Sequence, residues 1–139
     1  MPDSTKIAMP GFTSVPVPYG ELVDKITILE IKCQRLVDAR ENVKVRAELE
    51  ILRRAEMHCG LASQDVQRLT NELRLTNEKL WDLEDRIREY ELDQEFGTSF
   101  IAVARDIYKT NDQRASIKHR LNELAGATGA SKKLYRQTF

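Results

Sequence analysis

Leu69, Leu73, Thr76, Leu80, Leu83, Ile87 and Tyr90 recur at alternating steps of four and three. That rhythm is the mark of a long helix packing one stripe against its neighbours. Nothing nearby interrupts it, because all four prolines of the chain precede residue 19. Proline fixes φ and removes a donor, so residues 1–18, with their Val-Pro-Val-Pro run, read as an extended arm. Beyond Pro18 every residue is free to be helical.

Four helices follow from apolar spacing and end signals. The first is expected over 19–37, where Leu22, Ile26, Leu29, Cys33 and Leu36 form a seam. Ile28 and Ile31 lie roughly opposite that seam. A helix apolar on two sides must be covered on two sides. It is either central in the molecule or in contact with a second copy, and a homodimer is expected on this ground. The second helix, 40–58, carries Val45, Leu49 and Leu52 and stops at Gly60, a residue suited to the left-handed cap. The third, 63–92, starts behind Ser63 as N-cap. The turn Asp93–Gly97 leads into the fourth, 98–125. No strand pattern is present. The expected fold is all-α, an antiparallel four-helix bundle with a long helix-three/helix-four hairpin. Its domain spans 19–125 and is followed by a basic-aromatic tail, 126–139.

Composition narrows function mainly by exclusion. Net charge is zero, with ten acidic and five basic residues over 63–96 against three acidic and eight basic over 97–139. That contrast suits mutual attraction of two neighbouring helices. It falls short of the basic excess with interleaved aromatics that nucleic acid demands. No apolar run reaches the ~20 residues of a membrane span. Prolines interrupt any leader-like apolar stretch at the N-terminus. Cys33 and Cys59 suit a reducing cytoplasm, and His58-Cys59 lacks further ligands for a metal. Glycine-rich phosphate loops, nucleophile elbows and paired-histidine metal motifs are missing. No catalytic residue is assigned.

One stretch breaks the hydrophobic pattern. With Ile107 at zero on a helical wheel, Phe100, Val103 and Leu121 fall within roughly 40°, and so do Asn111, Arg114 and Lys118. Charge on a packing face is costly unless paired or functional. If helices three and four run antiparallel, facing residues have numbers summing to about 191. Arg114 then lies near Asn77 and Asn111 near Trp81. A flanking stripe on helix three, Asn77, Trp81, Glu84 and Arg88, joins the same level as Tyr108. Asp24, Glu30 and Lys32 of helix one close the cluster as a third wall.

Two accounts of this polar centre compete. In the first it is structural: Glu84 pairs with Arg88 along the helix, Arg114 takes a carboxylate, and Asn111 fixes register. In the second, Arg114, Lys118 and Arg88 converge on an anionic small molecule, phosphorylated or carboxylated. Trp81 and Tyr108 would stack on a ring, and Glu84, Asp85 or Asp24 would act as acid, base or metal ligand. Glu21 and Asp24 share a helix face, as in all-helical nucleotide pyrophosphatases, but the spacing of that family's acidic motifs is not met.

The segments Pro-Tyr-Gly-Glu-Leu-Val-Asp-Lys-Ile-Thr-Ile-Leu-Glu-Ile-Lys (18–32), Leu-Trp-Asp-Leu-Glu-Asp-Arg-Ile-Arg (80–88) and Tyr-Lys-Thr-Asn-Asp-Gln-Arg-Ala-Ser-Ile-Lys (108–118) resemble a family of small, functionally uncharacterised bacterial proteins. The resemblance covers about residues 16–125 and leaves the tail outside. It implies an all-helical cytoplasmic protein without an established activity, and an association with surface-polysaccharide genes. Its motif residues are mostly polar: Asp24, Lys25, Glu30, Lys32, Trp81, Glu84, Asp85, Arg88, Asn111, Asp112, Arg114 and Lys118. A mere spacer has no need of such particular side chains. The chain is therefore expected to be a homo-oligomeric binding or interaction module with a polar centre. The alternative is a site or enzyme for an anionic metabolite.

Overall fold

The computed structural model describes residues 10–126. It contains four helices, α1 (Tyr19–Arg35), α2 (Ala39–Cys59), α3 (Gln64–Leu92) and α4 (Thr98–Gly126), and no strand among the described residues. The end signals sit where local chemistry puts them. Asp38 caps α2 by accepting from the Arg40 amide at 2.9 Å. Ser63 caps α3 by accepting from the Val66 amide at 3.2 Å. Both satisfy donors that a helix start leaves open. Gly60 ends α2 in the left-handed region at φ 62°, which costs glycine nothing. α1 ends two residues sooner than its apolar seam suggests, because Leu36 is extended and turns the chain into α2.

α1 is the centre of the molecule: it packs against α2, α3 and α4, whereas α2 packs against α1 alone. The two faces of α1 feed two separate cores. Leu22, Ile26 and Leu29 join Val45 and Leu49 of α2. Tyr19 and Val23 join Val66, Leu69 and Leu73 of α3 with Ile117 and Leu121 of α4. At roughly 1.5–3 kcal/mol per fully buried aliphatic side chain, these clusters supply most of the driving force for folding. Opposite the seam, Ile31 is only 1% exposed and Ile28 is half-buried.

The inward seam of α4 runs through Val103, Thr110, Ile117 and Leu121, all buried, with Arg114 half-buried between them. It differs from the expected stripe at two places. Ile117 is buried beside a half-buried Lys118. Thr110 is inside, 2% exposed, and Asn111 is on the outer flank. A packing seam keeps a 3.5-residue period, whereas a wheel at 100° per residue drifts away from it. α1 and α4 meet closely at Gly20, whose amide donates to Asn122 Oδ1 at 2.6 Å. A Cβ there would strike the Lys118 carbonyl.

The arm residues 10–18 are exposed, and Pro18 opens α1. The tail expectation for 127–139 lies outside the described residues. No helix among the described residues is long and apolar enough to cross a membrane.

Candidate functional site

Asp24 lies in the second turn of α1 and is 0% exposed. A buried carboxylate must be paired or lose its charge. Here it is paired on two sides. Arg114 of α4 donates from Nε to Oδ1 at 2.9 Å and from Nη2 to Oδ2 at 2.5 Å. Asn77 of α3 donates from Nδ2 to Oδ1 at 2.9 Å. The same amide also donates to Thr27 Oγ1 at 2.9 Å, and that hydroxyl donates to the Asp24 carbonyl. Lys118 Nζ stands 3.8 Å from Asp24 and 2.6 Å from Glu21. Three helices are thereby tied through one carboxyl group.

Burial pushes the Asp24 carboxyl up. Hydrogen bonds from Arg114 and Asn77 and the charges of Arg114 and Lys118 outweigh it and hold the group below the usual carboxylate range. The forked guanidinium matches both carboxylate oxygens, which makes this one of the stronger polar contacts available to a protein. Glu21 and Asp24 therefore face cations of the chain itself. A metal would need those oxygens free.

Beside this network opens a cleft of about 360 Å³. Ile28 and Ile31 of α1 and Leu80 of α3 form its apolar wall. Asn77, Trp81, Glu84, Asp85 and Arg88 line it from α3, and Asn111 and Arg114 from α4. Trp81 is half-buried, and the Arg35 guanidinium lies 5.7 Å from its ring centroid, anchored to Asp82 at 2.6 Å. A second hollow of about 560 Å³ lies between the end of α2 and the start of α3. Its larger size does not make it the better site. Tyr19 already hydrogen-bonds Glu56, and Arg74 pairs with Glu30, although the Arg74 Nε is buried without a partner.

The sequence-derived residues divide into three groups. Asp24, Arg114 and Lys118 meet as expected. Trp81, Glu84, Asp85, Arg88 and Asn111 share the cleft with Arg114. Glu30 is turned to the other side of α1, bonded to Arg53 at 3.0 Å and Arg74 at 2.7 Å, so it is not a wall of this site. Lys25, Tyr108 and Asp112 are exposed and outside the cleft lining. Lys32 is half-buried and also outside it. Tyr108 consequently does not face Trp81. Glu84 and Arg88 make no ion pair with each other, since both turn to the open cleft. Thr27 and Asn77 complete the network. Asn77 stood on the flanking stripe, but Thr27 gave no signal beyond its place three residues after Asp24.

A family of unknown function, DUF6165, matches residues 13–138. The chain belongs to this family. The match agrees with the resemblance to an uncharacterised family and extends it, because the tail falls within the matched residues. Comparison with curated proteins and with solved structures finds no match.

Proposed function

For this member of the DUF6165 family, we propose a binding module in which the Asp24 network is structural and the Trp81 cleft is the recognition surface. The frame is an antiparallel four-helix bundle, a reading supported by the five-residue turn between α3 and α4. The observation that carries the proposal is the closed pairing of Arg114 with Asp24. An arginine whose fork already holds a buried carboxylate is not available to clamp a phosphate or carboxylate from solution. Lys118 is likewise engaged by Glu21. Glu84, Arg88 and Asn111, without partners among the described residues, and Asp85 line the cleft with an aromatic ring and an apolar wall. That is the composition of a recognition cleft.

A thermal-shift screen of nucleotides, sugar phosphates and divalent metals, run on the native chain and on Arg114→Ala, tests this reading. The expected result is a clearly lower melting temperature for Arg114→Ala and no stabilisation by small anions. The opposite result, an unchanged melting temperature with loss of stabilisation by one of those anions, would assign Arg114 to a ligand and refute the proposal.

A further inference from the structure

The network leaves two hydrogen-bonding atoms over, and both belong to residues of the cleft. Asn77 is 4% exposed, and both of its bonds are made through Nδ2. Asp24, held ionised, can only accept, so the amide must turn its nitrogen that way. Its Oδ1 is then an acceptor with no partner among the described residues, in a residue lining the cleft. Arg114 commits Nε and Nη2 to Asp24, which leaves Nη1 as an unclaimed donor. A buried carboxylate thus leaves one acceptor and one donor on two residues that line the same cleft as Trp81, the single tryptophan of the chain.

We propose that the Trp81 cleft binds an uncharged polar ring, stacked on Trp81, that carries a donor for Asn77 Oδ1 and an acceptor for Arg114 Nη1. This deepens the binding-module reading and rests on it. Charge argues for a neutral ligand. An anion entering the cleft meets Glu84 and Asp85, and a cation meets Arg88. A ring with hydroxyl, amino or carbonyl groups satisfies both kinds of rim. The volume of about 360 Å³ lies at the small end of ligand pockets and suits a single ring system with its substituents. Polar atoms left without a partner in a cleft discriminate between ligands, because one lacking the complementary group leaves them unsatisfied. Two sources offer this chemistry, a heterocyclic base and a pyranose ring.

The test titrates the full chain with adenosine and cytidine in one arm, and with methyl glucoside and N-acetylglucosamine in the other. Ribose 5-phosphate and citrate serve as anionic comparators. Fluorescence of the lone Trp81 reports the cleft directly. A saturable change with a neutral ring supports the proposal, and the responding arm identifies base or sugar. Asn77→Ala should weaken that binding by at least about tenfold, the worth of one hydrogen bond to a buried group. Because that variant also removes a donor to Asp24, Asn111→Ala, on the exposed rim, serves as a fold-preserving companion and should weaken binding less. Saturation by the anions alone, or no response to any neutral ring, overturns the proposal. The structural role of Arg114 is judged separately, by its melting temperature.

Discussion

Asp24 and Arg114, 90 residues apart in sequence, meet through two parallel hydrogen bonds of 2.9 and 2.5 Å. The contact joins the first helix to the last across the interior. It also gives the fold an acid-sensitive part. The Asp24 carboxyl is held below its ordinary value of 3.8 in the folded chain. A depressed carboxylate contributes stability that is fully present above the unfolded value and is lost as pH falls through the folded one. Denaturant unfolding measured from neutral pH into the range below 3.8 should therefore show falling stability. Asp24→Asn should be less stable at neutral pH, yet its curve should be flatter across the acid range.

Gly20→Ala should destabilise the protein, against the helix propensity scale. Alanine is favoured over glycine in a helix by about 1 kcal/mol. Here the added methyl would press on the Lys118 carbonyl, which is backbone and cannot swing aside, and on Asn122 Oδ1. Overpacking of that kind costs about 1–3 kcal/mol, so the net effect is expected to be a loss. Thermal melting of the two proteins side by side checks the sign, and a more stable Gly20→Ala would show that α1 and α4 are not in such close contact.

Glu84→Gln and Arg88→Gln should leave stability within about 0.5 kcal/mol of the native chain, since neither side chain has a partner to lose. Their effect should appear only in ligand binding at the cleft. A substantial loss of stability in either variant, measured by denaturant unfolding, would mean that the pair contributes to the fold.

Much of this architecture can be read from the residues because the determining signals are local. Ser63 and Gly60 mark helix ends by side-chain oxygen and by backbone freedom. The four-three spacing of α3 needs no tertiary information. Arg114 and Lys118 are legible as inward because they break an otherwise apolar stripe. What remained hidden is set by packing at a distance. Asn111 and Thr110 are neighbours, and only the packing of α4 on α1 and α3 decides that the threonine goes inside. Many carboxylates could have met Arg114, and the choice of Asp24 depends on how three helices stack. The two apolar faces of α1 ask for cover on two sides, and its central position among α2, α3 and α4 depends on how all four helices stack.

The most direct measurement is a double-mutant cycle on Asp24 and Arg114, read by denaturant unfolding. Asp24→Ala and Arg114→Ala should each cost about 3–5 kcal/mol, because each leaves the other charge in the interior without its partner. The double variant should cost little more than either single one, giving a coupling of about 3 kcal/mol. Additive losses, or an Arg114→Ala protein as stable as the native chain, would show that the arginine is not held by Asp24 and would free its fork to clamp an anion.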